Sequence, residues 1–293
     1  MELSVILVNF NDRLHLEACL KSLLVNPPSA AFEVIVVDNA SSDGSREWIS
    51  GAFPDVRLIA NPDNVGFAKA NNRGARAALG EFLLFLNTDT VVPPGALTGL
   101  LEKLEADPSV GSAGPALLLG PDSCQVSFGG KVNFAAQFWQ KLVLNPYHKA
   151  RLKKSGKERS VGWLSAACLL CRRTAFEEAG GFDERFFIYF EDIDLCYRLK
   201  KASWKNLHVP AVRVLHKGGS TTAPRAAASR FEYRKSQLYF YDKHNSRMSS
   251  RLLRLYLAFN FRWLAIRGVF RGEDGSRLRQ SYKDLLRGKG GRR

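Results

Sequence analysis

The chain has 293 residues, 45% of them apolar, which is room for one large domain or two ordinary ones with a sizeable core. The net charge of +15 is uneven: residues 1–200 hold 21 Lys+Arg and 23 Asp+Glu (net −2), whereas residues 201–293 hold 22 and 5 (net +17), which points the last third toward an anionic partner. Five cysteines, Cys19, Cys124, Cys168, Cys171 and Cys196, argue against a disulfide framework, and the Cys168–Cys171 spacing has no second pair to make a structural zinc site.

Met1-Glu2-Leu3-Ser4 enters a strand directly, without the basic start and cleavage site of a signal peptide, so a cytoplasmic location is expected. Leu3 to Val8 reads as a β-branched strand ending in Asn9-Phe10-Asn11-Asp12. Residues 13–25 carry Leu14, Leu16, Cys19, Leu20, Leu23 and Leu24 at helical spacing, with Asn11 or Asp12 as the cap. Phe32 to Val37 is a second strand, ending in Asp38 and a helix start near Ser45. Val56 to Ala60 is a third strand. The loop Asn61 to Phe67 leads into an Ala-rich helix over 68–79. Phe82 to Leu86 is a fourth strand, apolar throughout and so buried on both faces, which ends in Asn87-Thr88-Asp89.

Strands alternating with helices predict a parallel sheet covered on both faces. Four polar strand ends then meet at one edge: Asn9, Asp38, Asn61 to Asn64, and Asn87 to Asp89. In open α/β sheets that edge binds ligands. A carboxylate beside an amide and a hydroxyl can hold a hard divalent cation together with a ligand phosphate. No Gly-x-Gly-x-x-Gly and no phosphate-binding P-loop follows the first strand, so a bound nucleotide would lean on a metal rather than a glycine cradle. Asp38 suits acceptance of a uracil or thymine ring N–H, or an Asx-turn into the next helix.

Further on, 96–106 reads as a helix and Val110 to Leu119 as a strand broken at Gly114-Pro115. Residues 120–160 are irregular, with the aromatics Phe134, Phe138 and Trp139 and a basic loop, Lys149 to Arg159, that reads as a flap or a plain surface loop. Trp163 to Leu170 returns to strand, and 174–179 is a short helix. Four aromatics, Phe186, Phe187, Tyr189 and Phe190, stand before Glu191, Asp192 and Asp194. Carboxyls beside rings have raised pKa values and suit general-base work; the same acids also suit a helix N-terminus, and Asp194 reads as structural. Leu207 to Leu215 is a last strand, followed by His216 and a Gly-Gly turn.

Val5 to Asn11, Val36 to Ser45, Asn64 to Phe67, Asn87 to Asp89, Gly180 to Glu184, Glu191 to Leu195 and His216 to Ser220 together resemble glycosyltransferase family 2, closest to its rhamnosyltransferase-like branch, over residues 3–222. The resemblance implies an α/β, GT-A nucleotide-diphospho-sugar transferase fold: a mixed, mostly parallel central sheet flanked by helices. The expected division is 1–222 catalytic, with a nucleotide-sugar half to residue 119 and an acceptor half from 120, then a basic helical extension over 223–293. It implies an inverting transfer from a UDP- or dTDP-sugar to a glycan or lipid-linked acceptor, assisted by Mg2+ or Mn2+. Asp89 and His216 would hold the metal. Val8, Asn9, Asp38, Asn64, Gly66, Lys69, Asn87 and Thr88 would contact the donor, Asp38 at the nucleobase. Asp192 would be the base, with Glu191 the second candidate. Asn87 stands where the family often has an Asp, and an amide is the weaker ligand.

Residues 231–244 are aromatic and basic. Over 247–271, Arg247, Arg251, Arg254 and Arg262 share one helical face, Arg267 and Arg271 fall elsewhere, and no apolar run reaches membrane-spanning length. A helix lying on an anionic membrane fits, giving a peripheral protein on the inner face; so does a helix packed on the catalytic domain or at a dimer interface. The tail from Arg287 reads as disordered. Two rival readings are an NDP-sugar nucleotidyltransferase, which lacks its Gly-rich phosphate loop here, and a nucleic-acid-binding protein, which leaves the acidic strand ends unexplained and has no recognised motif. No nucleic-acid partner is therefore expected.

Overall fold

The computed structural model describes residues 1–120, 123–139, 156–217 and 226–266, and positions 280, 282–284 and 286. Residues 149–155 of the basic loop, the Gly218-Gly219-Ser220 turn, Arg267, Arg271 and the tail from Arg287 lie outside the described residues.

The first half folds as alternating units: β1 (Leu3–Asn9), α1 (Arg13–Val25), β2 (Phe32–Asp38), α2 (Ser45–Ala52), β3 (Arg57–Ala60), α3 (Phe67–Ala77) and β4 (Phe82–Leu86). There follow β5 (Thr90–Val91), α4 (Ala96–Ala106), β6 (Val110–Gly120), β7 (Ser123–Cys124), β8 (Phe128–Gly129) and α5 (Phe134–Trp139). Next come β9 (Arg159–Ser160), β10 (Trp163–Leu164), β11 (Cys168–Arg172), α6 (Arg173–Glu178), α7 (Glu191–Lys201), β12 (Lys205–His216), α8 (Ala226–His244) and α9 (Arg247–Ile266).

The main sheet runs β3-β2-β1-β4-β11-β6-β12-β5, with β7 on β6 and β9 on β12. The first four strands are parallel, and their chain order reverses at β1: β2 and β3 build outward on one side, β4 on the other. Such a reversal opens a crevice at the carboxyl ends of β1 and β4. One sheet face, through Val5, Leu7, Val36, Leu84 and Leu86, packs with Leu16, Leu20 and Leu23 of α1 and Leu97, Leu100 and Leu101 of α4 in one buried cluster. The opposite face takes α3 at close range. A Cβ on Gly74 would stand 2.5 Å from Ile6 Cγ2, so only glycine lets the helix lie this low on β1. Phe85 continues that face into a ring cluster with Phe176 and Phe182.

The sheet is mixed. β11 enters between β4 and β6 antiparallel to both. The predicted break at Gly114-Pro115 does not occur: β6 is continuous, and the irregularity passes to β12, whose register jumps from Val209 to Arg213 opposite Pro115 and Ala116. The predicted strand Trp163 to Leu170 splits instead, because β10 pairs with β8 while β11 pairs with β4, and Ser165 to Ala167 turn between them.

Two compact units result: Met1–Lys131 with Pro146–Thr221, and Val132–Asn145 with Thr222–Arg293. In the second, α9 packs against α8 and α5.

Candidate active site

At the end of β1 and β2, Asn9 and Asp38 are register partners and both fully buried. Asp38 Oδ1 accepts from Asn9 Nδ2 at 3.0 Å; its Oδ2 accepts from Ser41 N at 3.0 Å and Arg46 Nε at 2.5 Å. Burial would raise the Asp38 pKa, but the bonds from Ser41, Arg46 and Asn9 outweigh it and hold the carboxyl below its ordinary value. Arg46 also donates to Asn61 O at 2.6 Å, and Asn61 Nδ2 donates to Asn39 Oδ1 at 2.7 Å, a polar layer under the strand ends. Asp38 thus arrives with three bonds already accepted from the protein. Asn9 Oδ1 is the unspent acceptor beside it, buried and without a partner. Val8, partly exposed, precedes Asn9 in the central strand and pairs with Val37.

The turn after β4 carries Asn87, Thr88 and Asp89. Asn87 N donates to Ala167 O at 3.0 Å, and Thr88 Oγ1 donates to Asp12 Oδ2 at 2.9 Å. Asp12 occupies the helix-cap position of α1 but makes no cap bond, because its two oxygens are engaged by Thr88 and, at 2.6 Å, by His15 Nδ1. Pairing of β5 with β12 sets His216, the last residue of β12, opposite Thr90, and Lys217 N donates to Asp89 O at 3.0 Å. His216 Nδ1 donates to Gln125 Oε1 at 2.6 Å, since an amide oxygen can only accept. In the neutral ring Nε2 is then bare. It points at Asp89 Oδ1, 3.1 Å away, with Asn87 Nδ2 at 3.3 Å. Two acceptors this close are reconciled by a proton or a cation. Burial raises the Asp89 pKa, but the His216 hydrogen bond and charge outweigh it, and the carboxyl stays below its ordinary value.

These donors fit a divalent cation. Among the described residues no group of three or more His, Cys, Asp or Glu converges. Mg2+ or Mn2+ seldom has an all-protein cage; one or two protein ligands plus substrate phosphates and water suffice. Gln125 fixes the His216 tautomer, as partners of metal-ligating histidines do.

Across the site, α7 starts with Glu191 and Asp192. The two residues before it, Tyr189 (φ 70°) and Phe190 (φ 69°), are both left-handed, as are Asn11 (φ 52°) and Ala40 (φ 60°) after β1 and β2. Backbone strain of this kind clusters at functional sites. Asp192 is partly exposed, and accepts from Ala166 N at 3.1 Å through Oδ2 and from Ile193 N at 2.8 Å through Oδ1. Glu191 is buried, and its Oε2 has no hydrogen-bond partner. Burial, then the neighbouring Asp192 charge, pushes the Glu191 pKa far up; burial also raises that of Asp192. Both carboxyls therefore hold their protons to higher pH than ordinary acids do, and Asp192 is the more exposed of the two. Asp194 is buried and paired with Arg198 at 2.7 Å, the structural use expected of it.

The third edge is the β3–α3 loop. Asn64 Oδ1 is engaged by Gly66 N at 3.0 Å within its own loop, and Phe67 N donates to Phe187 O at 2.7 Å. Gly66 has φ +85°, and a Cβ there would meet Phe187 O at 2.6 Å, so glycine is what lets this loop touch the aromatic segment. Lys69, partly exposed on α3, makes no hydrogen bond or ion pair with any of these residues. The structure thus joins Asn9 to Asp38, Asn87 to Asp89 and His216, and Asp192 to the turn beside Asn87; Asn64, Gly66 and Lys69 line a neighbouring loop and helix. Cys19 packs under the turn, 3.3 Å from Thr90 Oγ1, and burial pushes its pKa up to about 12, so it is inert.

The family model for Glycosyl transferase family 2 matches residues 4–180. The chain belongs to this family. It is a glycosyltransferase, and the nucleotidyltransferase and non-enzymatic readings fall away. It is 35% identical over 269 residues to the N-acetylglucosaminyl-diphospho-decaprenol L-rhamnosyltransferase of Mycobacterium tuberculosis, covering 83% of this chain and 85% of the relative. Two solved glycosyltransferases share the GT-A fold. The mannosyltransferase PcManGT from Pyrobaculum calidifontis in complex with GDP-Man and Mn2+ aligns with TM-score 0.59 and 17% identity over 99% of this chain and 86% of that one. GalNAc-T7 with UDP, GalNAc and Mn2+ aligns with TM-score 0.59 and 20% identity over 82% of this chain, which spans half of that one.

Four residues of the candidate site could not be read from the sequence in this setting: Asp12, Arg46, Gln125 and Asn72. Asn72 donates to Phe182 O at 2.8 Å and accepts from Phe182 N at 2.9 Å, tying α3 to the segment before Glu191. Asp12, Gln125 and Asn72 act across long sequence separations. Only Arg46, on the helix after Asp38, had a local signal.

Proposed function

We propose that this glycosyltransferase moves a sugar, rhamnose by its likeness to the mycobacterial rhamnosyltransferase, from a UDP- or dTDP-sugar to a hydroxyl of a lipid-linked N-acetylglucosaminyl acceptor, with inversion, at the inner face of a membrane. The observation that carries the reading is the common mount of acid and triplet: Ala166 N–H holds Asp192 while the adjacent Ala167 carbonyl holds Asn87. The 35% identity to the mycobacterial rhamnosyltransferase supports the sugar and the acceptor class.

In this reading Asp38 and Asn9 face the nucleobase, and Asp89 and His216 hold a divalent cation. A bound cation would neutralise charge on the departing diphosphate. Asp192 takes the proton from the acceptor hydroxyl. The acceptor oxygen bonds to the anomeric carbon as the bond to the nucleotide's phosphate oxygen breaks on the opposite face, so one displacement inverts the centre.

The test is calorimetric titration with UDP and dTDP, with and without Mn2+, followed by transfer assays with dTDP-rhamnose and a polyprenyl-diphosphate N-acetylglucosamine. Metal-dependent nucleotide binding and rhamnosyl transfer are expected. Absence of nucleotide binding under every condition overturns the donor site; binding without transfer of rhamnose overturns the sugar.

A further inference from the structure

The C-terminal unit carries a surface that the catalytic reading does not use. Helix α9 has two opposed apolar faces. Leu253, Leu257 and Phe261 are buried, at 9% exposure or less. Met248, Leu252, Leu255, Tyr256 and Phe259 are exposed, Leu255 by 68% and Phe259 by 70%. Their spacing of four, three, one and three residues puts the exposed set on one stripe of the helix. Large apolar side chains scattered singly over a surface need no explanation, but a continuous stripe along three turns does.

Charge lies along one flank of that stripe. Arg247, Arg251 and Arg254 follow each other at helical spacing, and with Asp242, Asn245 and Ser250 they line a surface cleft of about 220 Å3. Arg254 is committed to Asp242 at 2.5 Å. Arg247 and Arg251 are exposed and make no ion pair or hydrogen bond with a described residue. Two uncommitted guanidiniums beside a hydroxyl and an amide match a phosphate ester. The whole of residues 201–293 has a net charge of +17, so the field around the cleft attracts anions.

We propose that α9 is a membrane-docking surface: its exposed stripe seats in the interface of an anionic bilayer while Arg247 and Arg251 bind lipid phosphate. The helix lies on the membrane rather than crossing it, since no helix among the described residues is long and apolar enough to span. This deepens the proposed action on a lipid-linked acceptor by naming the surface that meets the lipid. A second copy of the chain is the less fitting occupant, because the arginine flank of one copy would face that of another.

The test is flotation of the full chain with phosphatidylcholine vesicles and with mixed phosphatidylcholine–phosphatidylglycerol vesicles, at low and high salt. Two double variants of exposed positions accompany it, Leu255→Asp with Phe259→Asp and Arg247→Ala with Arg251→Ala. Binding to the anionic vesicles only, weakened by salt, is expected. Each arginine removed should lower partitioning about fivefold, and the aspartate variant should lose it. UDP and dTDP titrations of both variants should match the parent chain. Parent-like flotation of both variants overturns the proposal. So does a salt-sensitive complex with DNA but not vesicles, or a dimer that the aspartate variant dissociates in the absence of vesicle binding. A chain that binds vesicles but no nucleotide leaves this surface standing and overturns the donor site instead.

Discussion

Asp192 and Asn87 hang from adjacent residues of one turn: Ala166 N–H donates to the Asp192 carboxylate at 3.1 Å, and Ala167 C=O accepts from Asn87 N at 3.0 Å. Acid and triplet are therefore tied to one two-residue stretch of backbone, Ala166-Ala167.

For the two carboxyls of α7, Asp192→Asn should lower transfer about 10²–10⁴-fold with nucleotide binding retained, the usual loss for a general base. Glu191→Gln keeps the shape of a buried side chain, away from the more exposed Asp192, and should keep most of the rate. Because burial raises the Asp192 pKa, the acid limb of kcat lies above the ordinary aspartate range, and activity is lost as pH falls through it. Transfer rates across pH for both variants decide the matter; the opposite ranking would exchange the two roles.

At the proposed cation pair, Asp89→Ala and His216→Ala should abolish Mn2+-dependent nucleotide binding. Gln125→Ala leaves both ligands but frees the ring orientation, and a loss of about 10–100-fold in metal affinity is expected. Titration of Mn2+ into each variant at fixed nucleotide measures it. Parent-like affinity in Gln125→Ala would show that its bond to His216 has no bearing on the metal.

The Asn72 amide pairs with both backbone groups of Phe182 inside the fold. Asn72→Ala leaves a buried N–H and C=O unpaired, and a loss of about 2–3 kcal/mol in unfolding free energy is expected. Urea melts give this number. Because Phe182 leads toward Glu191, kcat should fall more than KM rises.

His208 is buried against Phe128, ring centroids 3.9 Å apart, and neither ring nitrogen has a partner. Burial, then the Arg159 charge, lowers its pKa from the ordinary 6.5 to about 4. The unfolded chain takes up a proton below about pH 6.5 that the folded chain refuses until about pH 4. Stability from this residue is thus intact above 6.5 and is lost progressively as pH falls between those values. His208→Phe should remove that part of the slope, read as a smaller difference between melts at pH 7 and pH 5 than in the parent chain.

Much of this was legible from local pattern. The apolar runs at Val5 to Leu7, Val34 to Val37 and Phe82 to Leu86 are strands because nothing but a buried sheet hides such runs, and their polar ends fall on one edge once the strands are parallel. Glu191 and Asp192 open a helix, as acids suited to a helix N-terminus would. What failed to show was pairing. Nothing in Cys168 to Arg172 announces that it enters antiparallel, and nothing near Gly114-Pro115 says that β12 will absorb the irregularity. Asp12 looked like a helix cap because Thr88, 76 positions on, is invisible from where it stands. Gln125 sits in a stretch with no periodicity and is found only when β12 brings His216 to it.

That arrival sets an order of events during synthesis. The polar ends of β1, β2 and β4 can be in place once Asp89 has left the ribosome, yet His216 waits on the last strand of the sheet, which must find β5 and β6 over roughly a hundred intervening residues. A nascent chain stalled before that point would present half of the proposed cation site, with Asp89 unpartnered. The proposed cation site is completed late, when β12 docks between β6 and β5.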